Sequence, residues 1–355
     1  MSDAAYTRPL TELRSSDESS VGGKSASLGE LLAAEIPVPP GFALTTAAFT
    51  AFVRDSGLDG RIAGAMAQVA PGDVEAIGAA SHRVSEAMHS APVPEGVREE
   101  VSRRYAELAE TAGVQEPPVA VRSSALGEDS EDATFAGQQE TYLWVRGAEH
   151  VCDAVRDCWV SLYSPPAISY RARLGRDQRD AAMGVTVQLM VDAEVSGVMF
   201  TCNPVSGDPS MVAINASWGL GLAVVGGEVT PDDYLVSKIT REVVKAQVHR
   251  KDVEYVPDPG GRGAVRVAVP EERAGERCLD DAALGALVAV ARRVESHFRS
   301  HQDIEWAIAR GGPDIYVVQS RPVTAVAKPA QKPPAASALS LVMSQFGVAP
   351  KRDAD

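Results

Sequence analysis

Apolar positions in the first third of the chain recur every three or four residues, which is the period of amphipathic helices. This pattern predicts a first helix from Lys24 that ends before the prolines of IPVPPG, because proline lacks the amide hydrogen that a helix needs. A second, short helix is predicted to start at Thr45 or Thr46, where a hydroxyl can cap the first turn. Two more helices are predicted over 73–112, with a Pro/Gly break at 92–96.

The period changes to two further along the chain, which favours β-strands. Between 183 and 240 the short runs MGVTVQLM, SGVMFT, MVAINAS and DYLVSKI are separated by Gly, Pro and Asn turns. An earlier strand is predicted at Val119–Val121, running into Arg122 and a long polar loop. Helices are predicted over 149–163 and 282–301. The chain therefore mixes helices with strands.

The last two predicted strands, DIEWAIA and IYVVQSR, are expected to form an antiparallel hairpin. If the loop comprises the five residues 310–314, Ala309 pairs with Ile315 and the rest of the register follows by counting. Successive side chains of a strand point to opposite faces. The register therefore places four polar residues on one face in two opposed pairs, Glu305 with Gln319 and Asp303 with Arg321.

This polar patch has two interpretations. Carboxylate and amide oxygens are ligands that Mg²⁺ accepts, and a neighbouring guanidinium can bind phosphate through parallel hydrogen bonds. The alternative is an Asp–Arg and Glu–Gln ladder on a solvated sheet face. A four-residue loop would break the match, so the patch depends on the assumed register.

Composition limits the classes of protein to which the chain can belong. The 355 residues are 45% hydrophobic and 23% charged, which suits a large globular unit of two lobes. No apolar run approaches the ~18 residues of a membrane span, and the N-terminus lacks a signal-peptide pattern. Four cysteines without a CxxC pair argue against a zinc site or a disulfide framework, and for a reducing, cytoplasmic setting. A net charge of −14 argues against a nucleic-acid partner.

Three local motifs match nucleotide-binding loops only in part. Lys24 follows Gly-Gly, but GGKS lacks the upstream glycine of the phosphate loop GxxxxGK[ST]. The run GLGLAVVGG at 219–227 lacks the strand–GxGxxG–helix context of a dinucleotide fingerprint. Arg122, between a strand and a Gly-containing loop, is placed to reach phosphate oxygens, although an arginine at a strand end is usually structural.

Five stretches taken together resemble one family. They are VGGKSASLGEL with IPVPPGF, VAVRSSALGEDSEDATFAGQQETYLWVRG, SGVMFTCNPVSGD, SWGLGLAVVGGEVTPDDY, and DIEWAIA with IYVVQSRPVT. In this order, from Val21 to Thr324, they resemble the N-terminal ATP-binding domain of phosphoenolpyruvate synthase, pyruvate phosphate dikinase and rifampicin phosphotransferase. The resemblance implies an α+β fold of the ATP-grasp type, with ATP held between two lobes. The implied organisation is a first lobe over 1–190 with a phosphate-covering loop at 122–141, a second lobe over 191–325, and a Pro/Ala-rich linker and tail over 326–355.

The resemblance also implies a role for individual residues. Three of them, Lys24, Arg122 and Arg321, would be the catalytic cations that contact phosphates, with Arg321 on the terminal ones. Glu305 and Gln319 would hold Mg²⁺. The remaining nucleotide contacts would be Gly137 and Thr141, which close over the ATP, and Gln188, which lies at the adenine through its backbone.

The chain departs from the family pattern in two places. Many relatives have an acidic residue after GLG, where this chain has Leu222, so a secondary phosphate or metal contact is in doubt. The family's phosphate-accepting histidine, in a GGxxSH-like setting, has no counterpart here. His297 and His301, four residues apart on one predicted helix, more readily form a solvated face than a metal site. The six histidines are His82, His89, His150, His249, His297 and His301.

The resemblance thus implies one component of an ATP-dependent phosphotransferase. ATP·Mg²⁺ would donate phosphoryl or pyrophosphoryl groups, with AMP as a product, to a histidine on a separate partner protein, and a small molecule would be the final acceptor. Two alternatives stay open: an ATP-grasp enzyme that acts directly on a small acceptor, and a nucleotide-binding subunit without turnover. The joint presence of Lys24, Arg122, Glu305, Gln319 and Arg321 argues against the second alternative.

Overall fold

The computed structural model describes residues 5–67, 69–126, 140–178, 181–260 and 263–323. Over these residues the chain forms two large antiparallel sheets with helices packed against them, so the expected α+β class with two lobes is confirmed. Residues 127–139 of the predicted phosphate-covering loop and the predicted tail over 326–355 lie outside the described residues.

The first lobe is built on a five-stranded sheet with the order β1-β2-β5-β3-β4. Its strands are β1 (Thr7–Pro9), β2 (Gly41–Leu44), β3 (Val119–Ala125), β4 (Thr141–Val145) and β5 (Met183–Leu189). The helices of this part of the chain are α1 (Glu18–Val21), α2 (Gly23–Ala33), α3 (Thr46–Asp55), α4 (Leu58–Met66), α5 (Val74–His89), α6 (Glu95–Ala112), α7 (Ala148–Ser161) and α8 (Pro165–Arg173).

The second lobe is built on a six-stranded sheet with the order β13-β12-β6-β7-β8-β9, beside a separate two-stranded hairpin. The sheet contains β6 (Ala193–Phe200), β7 (Met211–Trp218), β8 (Asp232–Ser237), β9 (Val243–Gln247), β12 (Gln302–Ala309) and β13 (Ile315–Pro322). The hairpin strands are β10 (Val253–Pro257) and β11 (Ala264–Ala268), and the helices are α9 (Leu222–Val225), α10 (Glu271–Ala274) and α11 (Asp281–Phe298).

Most of the predicted elements are confirmed, and the differences lie at their ends. Helix α3 begins after Thr45 as expected, but the Thr45 hydroxyl donates to the Ala5 carbonyl instead of capping the helix. Asp280 caps α11 by accepting a hydrogen bond from the backbone of Ala283. Helix α11 then ends at Phe298, earlier than the predicted end at 301.

Each sheet buries one face in its own apolar core. The first core lies between the five-stranded sheet and α3–α8, where the buried rings of Phe52 and Trp159 stack with centroids 5.1 Å apart. The second core lies on the six-stranded sheet and contains the buried side chains of Tyr234 and Trp306 together with those of α11. Within the described residues, no helix is both long enough and apolar enough to cross a membrane.

Helix α2 connects the two lobes. Its Leu28 and Leu31 belong to the second core, although the helix lies in the first part of the chain. On its other side, the Ser25 hydroxyl lies 2.7 Å from that of Thr186 on β5. The Ser27 hydroxyl donates to the carbonyl of Ser320 on β13 at 2.8 Å. The predicted division after residue 190 therefore separates the two sheets, whereas α2 packs on both.

Candidate functional site

Strand β3 carries apolar side chains on one face and polar side chains on the other. Val119 and Val121 are fully buried in the first core, and alternation directs Arg122 and Ser124 to the opposite face. The sequence predicted that the strand would end before Arg122, which is wrong. Pairing with β5 continues to Ala125, because β5 supplies a partner residue for each position as far as Met183. Arg122 is thus held by a ladder on both sides.

The Arg122 guanidinium crosses from the first lobe to the last hairpin of the second. Its Nη2 donates to Oε2 of Glu305 at 3.0 Å and to Oε1 of Gln319 at 2.8 Å, and its Nη1 donates to the carbonyl of Val318 at 2.8 Å. The Arg122 side chain is 12% exposed and that of Glu305 is 27% exposed. The Nε of Arg122 is buried and has no hydrogen-bond partner among the described residues.

The polar pairs predicted for the hairpin are confirmed. Strands β12 and β13 pair Glu305 with Gln319 and Asp303 with Arg321. The pairing next to the loop differs from the prediction, because Ile315 lies opposite Ile308 and not opposite Ala309.

A β-bulge at Val318 reconciles these two results. Trp306 pairs with Val317 and Glu305 pairs with Gln319, so Val318 is an extra residue on β13 that restores the predicted register beyond it. The carbonyl of Val318 is the one that accepts the hydrogen bond from Arg122. The bulge therefore both aligns the polar pairs and supplies an acceptor to the site.

Asp303 and Arg321 form the outer pair of the patch. Oδ2 of Asp303 accepts hydrogen bonds from Nε of Arg321 at 2.9 Å and is 2.8 Å from its Nη2. Oδ1 of Asp303 is buried and has no partner among the described residues. Burial raises the pKa of Asp303, with a further small contribution from the Glu305 charge, while Arg321 opposes the rise. Alternation along the strand pointed to Asp303 as a partner of Arg321, but no separate role was assigned to it.

Lys24 reaches the same strand from the start of α2. Its side chain is buried, and Nζ donates to the carbonyl of Ser123 at 3.0 Å. The first glycine of the GGKS turn is required by packing, because Gly22 has φ +80° and a Cβ there would lie 2.0 Å from the carbonyl oxygen of Ser124. The GGKS turn thus packs against β3, where Lys24 contacts the backbone of the residue that follows Arg122.

The other predicted nucleotide contacts are less closely grouped. Thr141 is exposed and pairs with Arg122 across β3 and β4, so the two side chains share a face. Gln188 lies in the middle of the first sheet, in register with Gly41 and Ala120, and its buried side chain donates to the carbonyl of Pro39 at 3.3 Å. Gly137 lies outside the described residues.

The oxygen atoms of the hairpin suit a hard cation. Glu305 and Gln319 direct one oxygen each at a single nitrogen of Arg122, so these two oxygens converge on one point. Mg²⁺ prefers oxygen ligands of this kind and is held by few of them when it also binds phosphates. No group of three or more His, Cys, Asp or Glu residues in the described part of the chain is arranged to hold a metal by itself. The two oxygens therefore fit a magnesium ion whose remaining ligands come from a nucleotide and from water.

The residue after GLG that departs from the family pattern, Leu222, begins the four-residue helix α9. The preceding Gly219 has φ +70°, and a Cβ there would lie 2.5 Å from the carbonyl oxygen of Tyr255. This glycine serves close packing of the β10–β11 hairpin on the end of β7. The motif is thus used for a backbone contact, which agrees with its lack of the strand–GxGxxG–helix context.

The histidines hydrogen-bond or form ion pairs elsewhere in the molecule. His297 on α11 lies 3.1 Å from Oε2 of Glu30, and His301 lies 2.7 Å from Oε1 of Glu295. The prediction that both lie on one helix is wrong, since α11 ends before His301. His82 lies near Glu86 and His89 near Asp157. His150 contacts the carbonyl of Arg146, and His249 contacts that of Pro231.

The cysteines are unpaired and have no activating environment. Cys152, Cys158 and Cys202 are buried, and Cys278 is half-buried. Burial raises the pKa of the Cys152 thiol to about 12 and also raises the pKa of the other three thiols. Thiols with raised pKa values are poor nucleophiles, so the structure gives them no chemical role.

Comparisons with known proteins agree with the motifs. Residues 18–339 match the family model described as pyruvate phosphate dikinase, AMP/ATP-binding domain. The chain is 41% identical over 319 residues to the probable phosphoenolpyruvate synthase of Methanothermobacter thermautotrophicus, covering 90% of this chain and 46% of that protein. It is 38% identical over 356 residues to the phosphoenolpyruvate synthase of Pyrococcus furiosus, covering 90% and 44%. The chain thus spans less than half the length of these curated relatives.

Among solved structures, an L-amino acid ligase from Bacillus licheniformis matches 67% of this chain and 47% of its own. The TM-score is 0.24 and the sequence identity is 11%. A likeness this weak carries no argument about fold or function.

Proposed function

Because the chain belongs to the pyruvate phosphate dikinase AMP/ATP-binding domain family, we propose that it binds ATP with Mg²⁺ between its two lobes and is the ATP-using part of a dikinase-type phosphotransferase. The two-lobed α+β structure agrees with the ATP-grasp type expected of this family. The proposed reaction transfers phosphoryl or pyrophosphoryl groups from ATP, with AMP as a product, to a histidine on a partner protein. A small molecule is the proposed final acceptor.

One observation carries this proposal. Arg122 of the first lobe donates to Glu305 and Gln319 of the second, so a strong phosphate donor and two metal-type oxygens lie together across the cleft. These residues are separated by more than 180 positions in the sequence. A solvated surface ladder would not require an arginine from the other lobe, so the grouping favours a binding site.

The proposed roles come from the family resemblance, and the positions of the described side chains support them. Arg122 lies on β3, Lys24 of α2 contacts the backbone of the same strand, and Arg321 lies on the hairpin face two residues beyond Gln319. Their positive charges would stabilise the negative charge that the phosphate oxygens gain during transfer. Thr141, which shares a face with Arg122, and Gly137 are proposed to close over the nucleotide. From the resemblance alone, Gln188 is proposed to lie at the adenine through its backbone, and its side chain donates to the carbonyl of Pro39.

Glu305 and Gln319 are the proposed magnesium ligands. When bound, the ion would neutralise charge on the phosphates and orient them for in-line transfer. Asp303 contributes by holding Arg321 on the same face, through the two contacts of its Oδ2.

The histidine is proposed to belong to a partner because the histidines of this chain are used elsewhere. Each of the six contacts a group outside the Arg122 cluster. A cytoplasmic setting is proposed from the four unpaired cysteines, which suit a reducing compartment.

Titration calorimetry tests the nucleotide part of the proposal. The purified chain should bind ATP in millimolar Mg²⁺, and Arg122→Ala should weaken ATP binding about tenfold or more, since hydrogen bonds to charged groups are worth about 1.5–3 kcal/mol. Arg104→Ala is a matched control, because Arg104 is also a partly buried arginine that pairs with Thr7 and Glu107 in the first lobe. No heat of ATP binding in the wild-type chain would refute the proposal.

Radiolabelled ATP tests the partner part. The chain alone should turn ATP over slowly, and addition of a protein that carries the acceptor histidine should yield an acid-labile phosphohistidine together with AMP. Rapid AMP formation by the chain alone would instead support direct transfer to water or to a small acceptor.

A further inference from the structure

The Arg122 guanidinium already occupies the two oxygens that the proposed magnesium site needs. A single nitrogen, Nη2, donates to both Oε2 of Glu305 and Oε1 of Gln319, at 3.0 Å and 2.8 Å. The other terminal nitrogen, Nη1, donates to the carbonyl of Val318. One terminal nitrogen of the guanidinium therefore binds the candidate metal ligands, and the other binds the backbone.

Two cations on the same pair of oxygens repel each other. The guanidinium keeps its proton at any pH that a folded protein survives. A magnesium ion lies about 2.1 Å from its ligand oxygens, so it would sit within a few ångströms of Nη2. Water screens this repulsion only partly, because the Arg122 and Glu305 side chains are 12% and 27% exposed.

We propose that Arg122 is a resident cation of the site, which a divalent metal must displace from Glu305 and Gln319. The proposal rests on the proposed function in so far as the metal is the one that accompanies ATP. After the exchange, Nη2 is free to donate to phosphate oxygens, while Nη1 keeps its bond to Val318. The bulge carbonyl thus acts as the pivot about which the guanidinium turns.

The exchange makes metal binding and phosphate binding depend on each other. Metal alone has to break two hydrogen bonds of Arg122, and Arg122 then lacks acceptors for Nη2. Metal that arrives with ATP brings phosphate oxygens that replace those acceptors. The chain should therefore bind the divalent ion weakly by itself and much more tightly with the nucleotide, which couples the two ligands without any second site.

Manganese binding without nucleotide tests the exchange, with paramagnetic resonance of free Mn²⁺ as the readout. Arg122→Met removes the resident cation, so Mn²⁺ should bind about tenfold or more tightly than in the wild-type chain. Arg104→Met, the same change at a partly buried arginine in the first lobe, should leave Mn²⁺ binding unchanged. The gain should disappear in the double variant with Glu305→Gln. Unchanged or weaker Mn²⁺ binding in Arg122→Met, or a gain that survives Glu305→Gln, overturns the proposal.

A measurement on the wild-type chain keeps the proposal testable if Arg122→Met does not fold. Mg²⁺ without nucleotide should shift the side-chain nitrogen resonances of Arg122, assigned by their loss in Arg122→Lys. Resonances that stay in place at saturating Mg²⁺ would show that the metal uses other oxygens, such as Oε1 of Glu305, beside an undisturbed guanidinium. Calorimetry of ATP with the wild-type chain separates the proposed function from the proposed exchange. If the metal displaces Arg122 but ATP does not bind, the proposed function is refuted and the exchange is retained.

Discussion

Two charged clusters join distant parts of the chain, and they differ in how completely their hydrogen-bonding groups are used. In the second lobe, the side chains of Asp232 and Lys251 are both 0% exposed. Lys251 Nζ donates to Asp232 and to the carbonyls of His249 and Glu276. Both oxygens of Asp232 are used twice, by donors from Lys251, the backbone of His249, the Tyr234 hydroxyl and the backbone of Cys278.

The cluster at the cleft is built from similar groups but leaves some of them unused. Nε of Arg122 and Oδ1 of Asp303 are buried without a partner among the described residues. Unpaired polar atoms in a poorly hydrated place cost stability, which makes this cluster less favourable to the fold than the saturated one. The saturated cluster, Asp232 with Lys251, locks β8 to the chain before β10. The open cluster, Arg122 with Asp303, Glu305, Gln319 and Arg321, has donors and acceptors left over, as expected of the proposed binding site.

The comparison predicts its largest effect at the saturated cluster. Lys251→Met leaves the Asp232 carboxylate buried without its counter-ion, and breaking a buried pair in this way costs about 3–5 kcal/mol of the free energy of unfolding. Urea unfolding followed by circular dichroism measures the loss. The double variant Asp232→Leu with Lys251→Met removes both charges and should recover part of it. A loss below about 1 kcal/mol in the single variant would mean that the cluster is not the structural lock described.

A comparably large effect is expected at the open cluster, but in rate and not in stability. Arg321→Met should lower the rate of phosphoryl transfer about 10²–10³-fold, the usual consequence of removing a donor that stabilises transition-state charge. The free energy of unfolding should fall by less than in Lys251→Met, because Arg321 is half exposed and Asp303, unlike Asp232, is not completely buried. Single-turnover kinetics and urea unfolding of the same variant separate the two quantities. A large loss of stability with normal transfer would reverse the roles assigned to the clusters.

Acid pH should weaken the saturated cluster by protonating Asp232. Although burial opposes it, the Lys251 ammonium and the backbone amides of Cys278 and His249 lower the pKa of Asp232 below its ordinary value of 3.8. Because the folded pKa is the lower one, the carboxylate contributes stability above pH 3.8, and this contribution is lost as the pH falls through the folded pKa. The difference in free energy of unfolding between wild type and Asp232→Asn should therefore be constant near neutral pH and shrink below pH 3.8. A difference that grows with acid would contradict the lowered pKa.

The hairpin illustrates how far the sequence leads and where it stops. Alternation and a loop length correctly placed Glu305 opposite Gln319 and Asp303 opposite Arg321. The assumed pairing of Ala309 with Ile315 was wrong by one residue, and the bulge at Val318 cancels the error. No local sequence pattern marks the bulge at Val318. The Val318 carbonyl accepts a hydrogen bond from Arg122, and this partner lies 196 residues earlier in the chain.

Long-range pairing also explains the other misses. The Ser-Ser pair after Arg122 has little strand preference of its own, yet β3 continues through it because β5 supplies a partner strand. The Asp232–Lys251 cluster was not predicted at all. Asp232 falls in the family stretch SWGLGLAVVGGEVTPDDY, but nothing in that stretch points to Lys251, which lies 19 positions later. The candidate site was found because the family motifs cover both of its halves, whereas Lys251, one half of this lock, lies outside those motifs.

The smallest effect is expected at Gln188, a polar residue near Arg122 that behaves like a member of the saturated cluster. Its side chain is 2% exposed and donates to the carbonyl of Pro39. Gln188→Ala leaves that carbonyl without its donor and opens a small cavity, which should lower the free energy of unfolding by about 1–2 kcal/mol. ATP affinity by calorimetry should change less than about twofold, since the proposed adenine contact uses the backbone and a factor of two is only about 0.4 kcal/mol. Gln188→Glu is the sharper variant, because it keeps the shape but offers no donor to Pro39. If either variant abolished ATP binding while the protein stayed folded, the Gln188 side chain would belong to the open cluster, and the division between structural and functional polar groups on this sheet face would have to be redrawn.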